Sequence, residues 1–277
     1  MQFNYQDIEA HAKHMRKLML DMGKHAGGHA AHMGGALSIA DVMATLYFGV
    51  MNTKEVGMES PERDRCILSK GHASLGLYSA LIESGLMDAS LMNTFEDDYS
   101  DLLGHPVKNR KLGIEFTNGS LGMGLSIGIG VAIASKKKGQ QNKVYVILGD
   151  GECNEGSVWE AFMSAAHYQL DNIVAIIDCN KFQLTGATEE IMSLGDMSAK
   201  LRAFGWDVID VNGHDVKQLC AALDKDVKHD KPLAVVMDTQ KGKGFSFSEG
   251  NNSWHHAVVT QKAYEEGLQE LGFEMED

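Results

Sequence analysis

The chain has 277 residues, with 25 Lys and Arg against 38 Asp and Glu, and so carries a formal net charge of −13. With 44% hydrophobic residues and only 3 prolines it is neither disordered nor collagen-like, and a chain of this length buries about 70–75% of its unfolded surface without help from disulfides or a structural metal. The negative charge argues against nucleic acid or an anionic membrane as the main partner, because both demand clustered cations.

Ile8, Ala12, Met15, Leu18, Met19 and Met22 recur at steps of three and four, which predicts an amphipathic helix ending near Gly23. Ser38 reads as the N-cap of a second helix reaching about Val50. A short strand around 65–68 leads into a helix ending near Ser84, and residues 87–118 are irregular and polar. Gly119 to Gly124 opens a helix whose small residues Gly124, Gly128, Gly130 and Ala132 suit close packing on a sheet. The run Lys136-Lys137-Lys138 reads as the solvated last turn of that helix rather than a binding patch. Further strands are predicted at 143–148, 172–178, 206–211 and 233–238, with helices at 156–169 and 215–228. Continuous apolar strands alternating with helices indicate an α/β fold, a parallel sheet covered by helices on both faces, in one domain over residues 1–277.

Cys66, Cys153, Cys179 and Cys220 include no CxxC pair, so reduced thiols are expected rather than a zinc or redox motif. The N-terminus shows no basic region followed by an apolar segment, and no stretch approaches the roughly 18 apolar residues of a membrane helix. A cytoplasmic location is expected.

In an open parallel sheet, ligands bind outside the carboxyl ends of the strands. Gly149-Asp150-Gly151 directly follows one strand. Its glycines let an anionic group approach the backbone, and the aspartate between them makes sense if a divalent cation intervenes. Asn180 ends the next strand, and its amide oxygen with a nearby backbone carbonyl would complete oxygen ligation of a hard ion. Gly-Asp-Gly alone is a common turn; the pair at adjacent strand ends is the stronger signal. His32, His72, His105 and His255 all lie in glycine-bearing or polar turns, where imidazoles serve proton transfer and hydroxyl recognition. His29 also follows two glycines, so its role stays open, and His11, His14, His25, His167, His214 and His229 are assigned none.

These segments stand in a recognisable order: His32 to Asp41, Asp64 to Ala73, Gly104-His105-Pro106 with Gly119 to Gly122, and Gly149 to Asn180. They resemble the N-terminal, thiamine diphosphate-binding half of transketolase over nearly the whole chain. The family's prolines after the first histidine are replaced by Met33 and by Gly35-Ala36, a variant that resembles the split form built from two polypeptides. The resemblance implies thiamine diphosphate and Mg²⁺ as cofactors, with Ca²⁺ or Mn²⁺ as substitutes, held by Asp150, Asn180 and the Phe182 carbonyl. It implies that Gly149, Gly151, His72 and His255 surround the diphosphate and that Gly119 and Leu121 contact the aminopyrimidine.

By the same resemblance His105 would meet the C1 hydroxyl of a ketose donor, and His32 with His255 its C3 hydroxyl. The adjacent His256 is an alternative to His255. Glu155, and less securely Glu160, resemble carboxylates that link two active sites across an interface; the preference of acids for helix N-termini is the plainer alternative for both. The glutamate that activates the cofactor belongs to a pyrimidine-binding domain. A separate C-terminal partner subunit carrying that domain is therefore expected, in a heterotetramer acting on sugar phosphates. Two other functions compete: the diphosphate-binding subunit of a 2-oxo-acid dehydrogenase, and a non-catalytic cofactor-binding module.

Overall fold

A computed structural model describes residues 2–274. Its strands are β1 (Arg65–Leu68), β2 (Val144–Gly149), β3 (Ile173–Cys179), β4 (Asp207–Asn212) and β5 (Leu233–Asp238), all parallel, in the order β1-β2-β3-β5-β4. Successive side chains along each strand point to opposite faces. Tyr145, Ile147, Val174, Ile176, Val235 and Met237 thus join one buried cluster, and Val146, Leu148, Ala175, Ile177 and Ala234 the other. A sheet apolar on both faces must be covered on both, and the α/β architecture expected from the alternation of elements is the one observed.

The helices are α1 (Tyr5–His25), α2 (Met33–Leu37), α3 (Ala40–Thr45), α4 (Thr53–Val56), α5 (Ser74–Glu83), α6 (Gly124–Lys137), α7 (Gly156–His167), α8 (Thr188–Met192), α9 (Met197–Ala203), α10 (Val216–Leu223) and α11 (Gln261–Leu271). Buried residues of α1, α3, α5, α10 and α11 pack into the first cluster, and those of α6, α7 and α9 into the second. All six apolar residues singled out on α1 are buried. The helix runs past Gly23 because that glycine is a packing contact, not a stop. A Cβ there would lie 2.8 Å from the sulfur of Met33 and 2.9 Å from Val259.

Three expectations need correction. Ser38 does not cap a long helix: its hydroxyl donates to Gly35 O at 3.1 Å and to Asp178 Oδ2 at 2.7 Å. The segment is instead broken into α2 and α3, followed by a wide turn over Leu46–Val50 that Met51 N–H closes on Leu46 O at 2.7 Å. The helix expected over 215–228 ends at Leu223, where Asp224 turns extended. The helix expected to open at Gly119 begins at Gly124, because Gly122 has φ +79° and no right-handed helix passes through it. No expectation had been placed on α9 or α11. Among the described residues all four cysteines are free, and no helix is long and apolar enough to cross a membrane.

Candidate active site

The carboxyl ends of β1, β2, β3 and β5 converge. Gly149 pairs with Asp178 and Cys179 with Asp238, so the loops that follow these strands start from one edge. They surround a cavity of about 300 Å³ lined by His32, Lys70, His72, His105, Gly119, Leu121, the segment 149–152, Asn180, Phe182 to Leu184 and His255.

At its floor Asp150 is only 5% exposed. One carboxylate oxygen accepts Gly151 N–H at 2.8 Å; the other accepts Lys181 N–H at 2.9 Å and the Thr188 hydroxyl at 3.1 Å. Burial, and next the charge of Asp178, still push this carboxyl above its ordinary range, against those hydrogen bonds. Asn180 is pinned from behind: its amide NH₂ donates to Asp178 Oδ2 at 2.7 Å, which fixes its oxygen as the end left to accept, and Phe182 N–H reaches that oxygen at 3.2 Å. A buried carboxylate held above its usual pKa beside an oriented amide oxygen is a donor set that a hard cation completes. Among the described residues no cluster of three His, Cys, Asp or Glu side chains could hold a metal. A cation here would therefore take its remaining ligands from carbonyls, water or a bound phosphate, as Mg²⁺ commonly does.

Behind this floor lies a buried ion pair. Lys70 Nζ donates to Asp178 Oδ2 at 2.5 Å and to Gly35 O at 2.7 Å, and Asp178 also accepts the hydroxyls of Ser38 and Thr239. Burial alone would raise the Asp178 carboxyl; the Lys70 ammonium and these hydrogen bonds overcome that and hold it below the usual range. A second buried carboxylate, Glu152, ties three segments together. It accepts the Ser69 hydroxyl at 2.5 Å, Gly122 N–H at 2.8 Å and Gly149 N–H at 3.1 Å.

Four imidazoles, His32, His72, His105 and His255, line the same cavity. The ring of His32 lies 5.6 Å from that of His72, 5.4 Å from those of His105 and His255, and 4.3 Å from that of His256. Burial first, then the neighbouring histidines and Lys241, pull His32 down to about 3. Burial and Lys241 pull His255 down to about 4, and burial and Lys70 hold His72 well below its ordinary value. At neutral pH these three rings are uncharged. Lys241 Nζ, 2.9 Å from His255 Nδ1, also donates to Asn252 Oδ1 at 2.7 Å and Gln183 O at 3.1 Å. Burial and Lys70 lower Lys241 to about 8, so it is mostly protonated at pH 7. An ammonium only donates, so Nδ1 of His255 accepts and its proton sits on Nε2.

The depressed histidines have a consequence for folding. In the unfolded chain a histidine titrates near 6.5. Between about pH 6.5 and 4 the unfolded state therefore binds protons that the folded state refuses, and stability falls as pH falls through that window. The urea midpoint is expected to drop between pH 7 and pH 5, and to drop less in His32→Gln. An identical pH dependence in the variant would refute the assignment.

The family model for "Transketolase, thiamine diphosphate binding domain" matches residues 8–277. The chain belongs to the transketolase family. It is 40% identical over 270 residues to an apulose-4-phosphate transketolase subunit of Actinobacillus succinogenes, covering 97% of each chain. It is 39% identical to the 6-deoxy-6-sulfo-D-fructose transketolase subunit SqwG of a Clostridium strain, covering 96% of each. The crystal structure of Campylobacter jejuni transketolase superposes with a TM-score of 0.87 at 30% identity, over 99% of this chain but only 43% of that one. The chain thus matches nearly the full length of relatives that are themselves transketolase subunits, and about two fifths of a full-length transketolase. The family match decides against the 2-oxo-acid dehydrogenase alternative.

Of the transketolase positions carried over from sequence, His32, His72, His105, Gly119, Leu121, Gly149, Asp150, Gly151, Asn180, Phe182 and His255 all line the one cavity. Glu155 and Glu160 do not. Both are exposed, Glu155 at the N-cap position of α7 beside Gly122. Gly151 N–H is engaged by Asp150 rather than open to the cavity. His29 is exposed at the end of a short 3-10 turn. Lys70, Asp178, Glu152 and Lys241 were missed. For Lys70 a signal existed: a lysine at the tip of a buried parallel strand, between Ser69 and Gly71, has no solvent to run to and must find an anion.

Proposed function

We propose that this chain is the cofactor-binding subunit of a two-chain transketolase that moves a two-carbon ketol unit from a ketose phosphate to an aldose phosphate. The observation that carries it is one cavity lined both by a hard-oxygen pair and by neutral imidazoles, in a chain that matches single transketolase subunits along both lengths. Bound thiamine diphosphate supplies the electron sink for carbon–carbon cleavage. Asp150, Asn180 and the Phe182 carbonyl would hold Mg²⁺ against its diphosphate, while His72, Gly149 and Gly151 border the same group. Gly119 and Leu121 would offer backbone and an apolar side chain, 37% exposed, to the aminopyrimidine.

His105 would bond the donor's C1 hydroxyl. His32 and His255 face the C3 hydroxyl, whose proton must leave when the C2–C3 bond breaks. An uncharged His32 can take that proton, while His255, with its proton on Nε2, donates a hydrogen bond to the same oxygen. Burial keeps both rings from being protonated in advance. Glu155 and Glu160, exposed along α7, suit an interface with the partner that carries the pyrimidine-binding domain, in a heterotetramer.

The purified chain with thiamine diphosphate and Mg²⁺ is expected to show no ketol transfer, and to gain it when the partner subunit is added. Ketol transfer by the chain alone, or its absence from the assembled pair across a panel of ketose phosphates, would overturn the proposal. Loss of transfer with cofactor binding intact would favour the non-catalytic module.

A further inference from the structure

Ala31 and Ala257 form an isolated antiparallel bridge, each N–H donating to the other's carbonyl at 3.0 Å. In that register the next residue on one side opposes the previous residue on the other, so His32 faces His256. Because Ala31 and Ala257 exchange both hydrogen bonds, their neighbours form the closer, non-hydrogen-bonded pair with side chains on a common face. The two rings indeed lie 4.3 Å apart at 46°, nearer than any other pair in the cluster. The chain enters this clasp through Ala30, which has φ +59° and ψ 175°. That left-handed conformation is costly for a residue with a Cβ, and it persists only where the surroundings impose it.

His256 differs from its neighbours in the cluster. His255 is fixed by Lys241, whereas His256 is exposed, and among the described residues its ring makes no hydrogen bond or ion pair. The roles proposed above use His32, His72, His105 and His255, which leaves one imidazole over. His32 lines the cavity, and His256 packs against it as an exposed ring just outside that lining.

We propose that His256 is a specificity-determining residue of the donor site, hydrogen bonding the hydroxyl on the carbon one place farther from the cofactor than the carbon served by His32 and His255. The ligand class is a ketose phosphate bearing a hydroxyl at C4. This rests on the ketol-transfer reading above.

The test compares the assembled holoenzyme with its His256→Ala and His256→Gln forms on two donors. One is the best ketose phosphate of a panel. The other is hydroxypyruvate, which loses carbon dioxide as it delivers the same two-carbon unit and has no carbon beyond its third. In His256→Ala, kcat/KM for the ketose phosphate should fall about tenfold, the equivalent of about 1.4 kcal/mol, through KM. For hydroxypyruvate it should stay within about twofold, less than the loss of one hydrogen bond. His256→Gln, which can still donate and accept, should recover most of the loss, and calorimetric affinity for thiamine diphosphate should not change. Equal effects on the two donors, or none on either, would overturn the role of His256 alone. A wild-type holoenzyme that transfers from no donor would overturn the ketol reading and this role with it.

Discussion

Lys70→Met is expected to destabilise the fold by about 3–5 kcal/mol, the usual cost of removing one partner of a buried ion pair. The lysine side chain is 1% exposed and the Asp178 side chain 0% exposed, so neither charge can turn to water when the other is lost. Their attraction does not make the pair a large net gain, since desolvating both ions offsets most of it. The expected loss comes from stranding Asp178, whose remaining donors are the Ser38 and Thr239 hydroxyls and the Asn180 amide. Lys70→Met with Asp178→Asn, which strands no charge, should recover part of the loss. Equilibrium urea unfolding of the three forms is the measurement. A single-variant change below about 1 kcal/mol would show that the network repacks without the ion pair. The effect reaches the site as well, because Asp178 is the group that orients Asn180. A variant with a loosened Asp178 should bind a cation less well even where it folds.

The division between what was legible in the sequence and what was not follows the range of the interactions. Continuous apolar runs and period-3.6 patterns are local, so β2, β3, β5 and the buried face of α1 could be read within a residue or two. The strand-tip motifs were legible because Gly149-Asp150-Gly151 and Asn180 break apolar strands at adjacent ends of one sheet, and Gly149 and Asp178 are in register. Ser38 misled because its local chemistry is that of an N-cap, yet its hydroxyl is taken by Asp178, 140 residues away. Lys241 and Glu152 escaped for the same reason: their partners come from separate loops, and nothing near them in sequence announces a buried charge. In sequence His256 reads only as an alternative to His255. What sets it apart is the bridge between Ala31 and Ala257, a pairing across 226 positions.

Asp150→Ala should abolish Mg²⁺-dependent binding of thiamine diphosphate while leaving a folded chain. Removal of a group that merely supports a metal ligand commonly costs 10–100-fold in affinity, so loss of a ligand itself should cost at least about 100-fold. Asp150 is not a keystone of the fold in the way Lys70 is. Burial and the Asp178 charge already disfavour its ionised form, so its removal relieves a repulsion even as it frees Gly151 N–H, Lys181 N–H and the Thr188 hydroxyl. The same raised carboxyl sets a sign for pH. A ligating carboxylate must be ionised, and in the cofactor-free chain this one holds its proton to higher pH than an ordinary aspartate. Cofactor binding in the presence of Mg²⁺ should therefore weaken as pH falls through that elevated range and release protons as it occurs. Isothermal titration in two buffers of different ionisation enthalpy measures both. Unchanged affinity in Asp150→Ala, or binding to the wild type with no proton release in the acid range, would remove Asp150 from the metal site. Circular dichroism of the variant separates that outcome from simple unfolding.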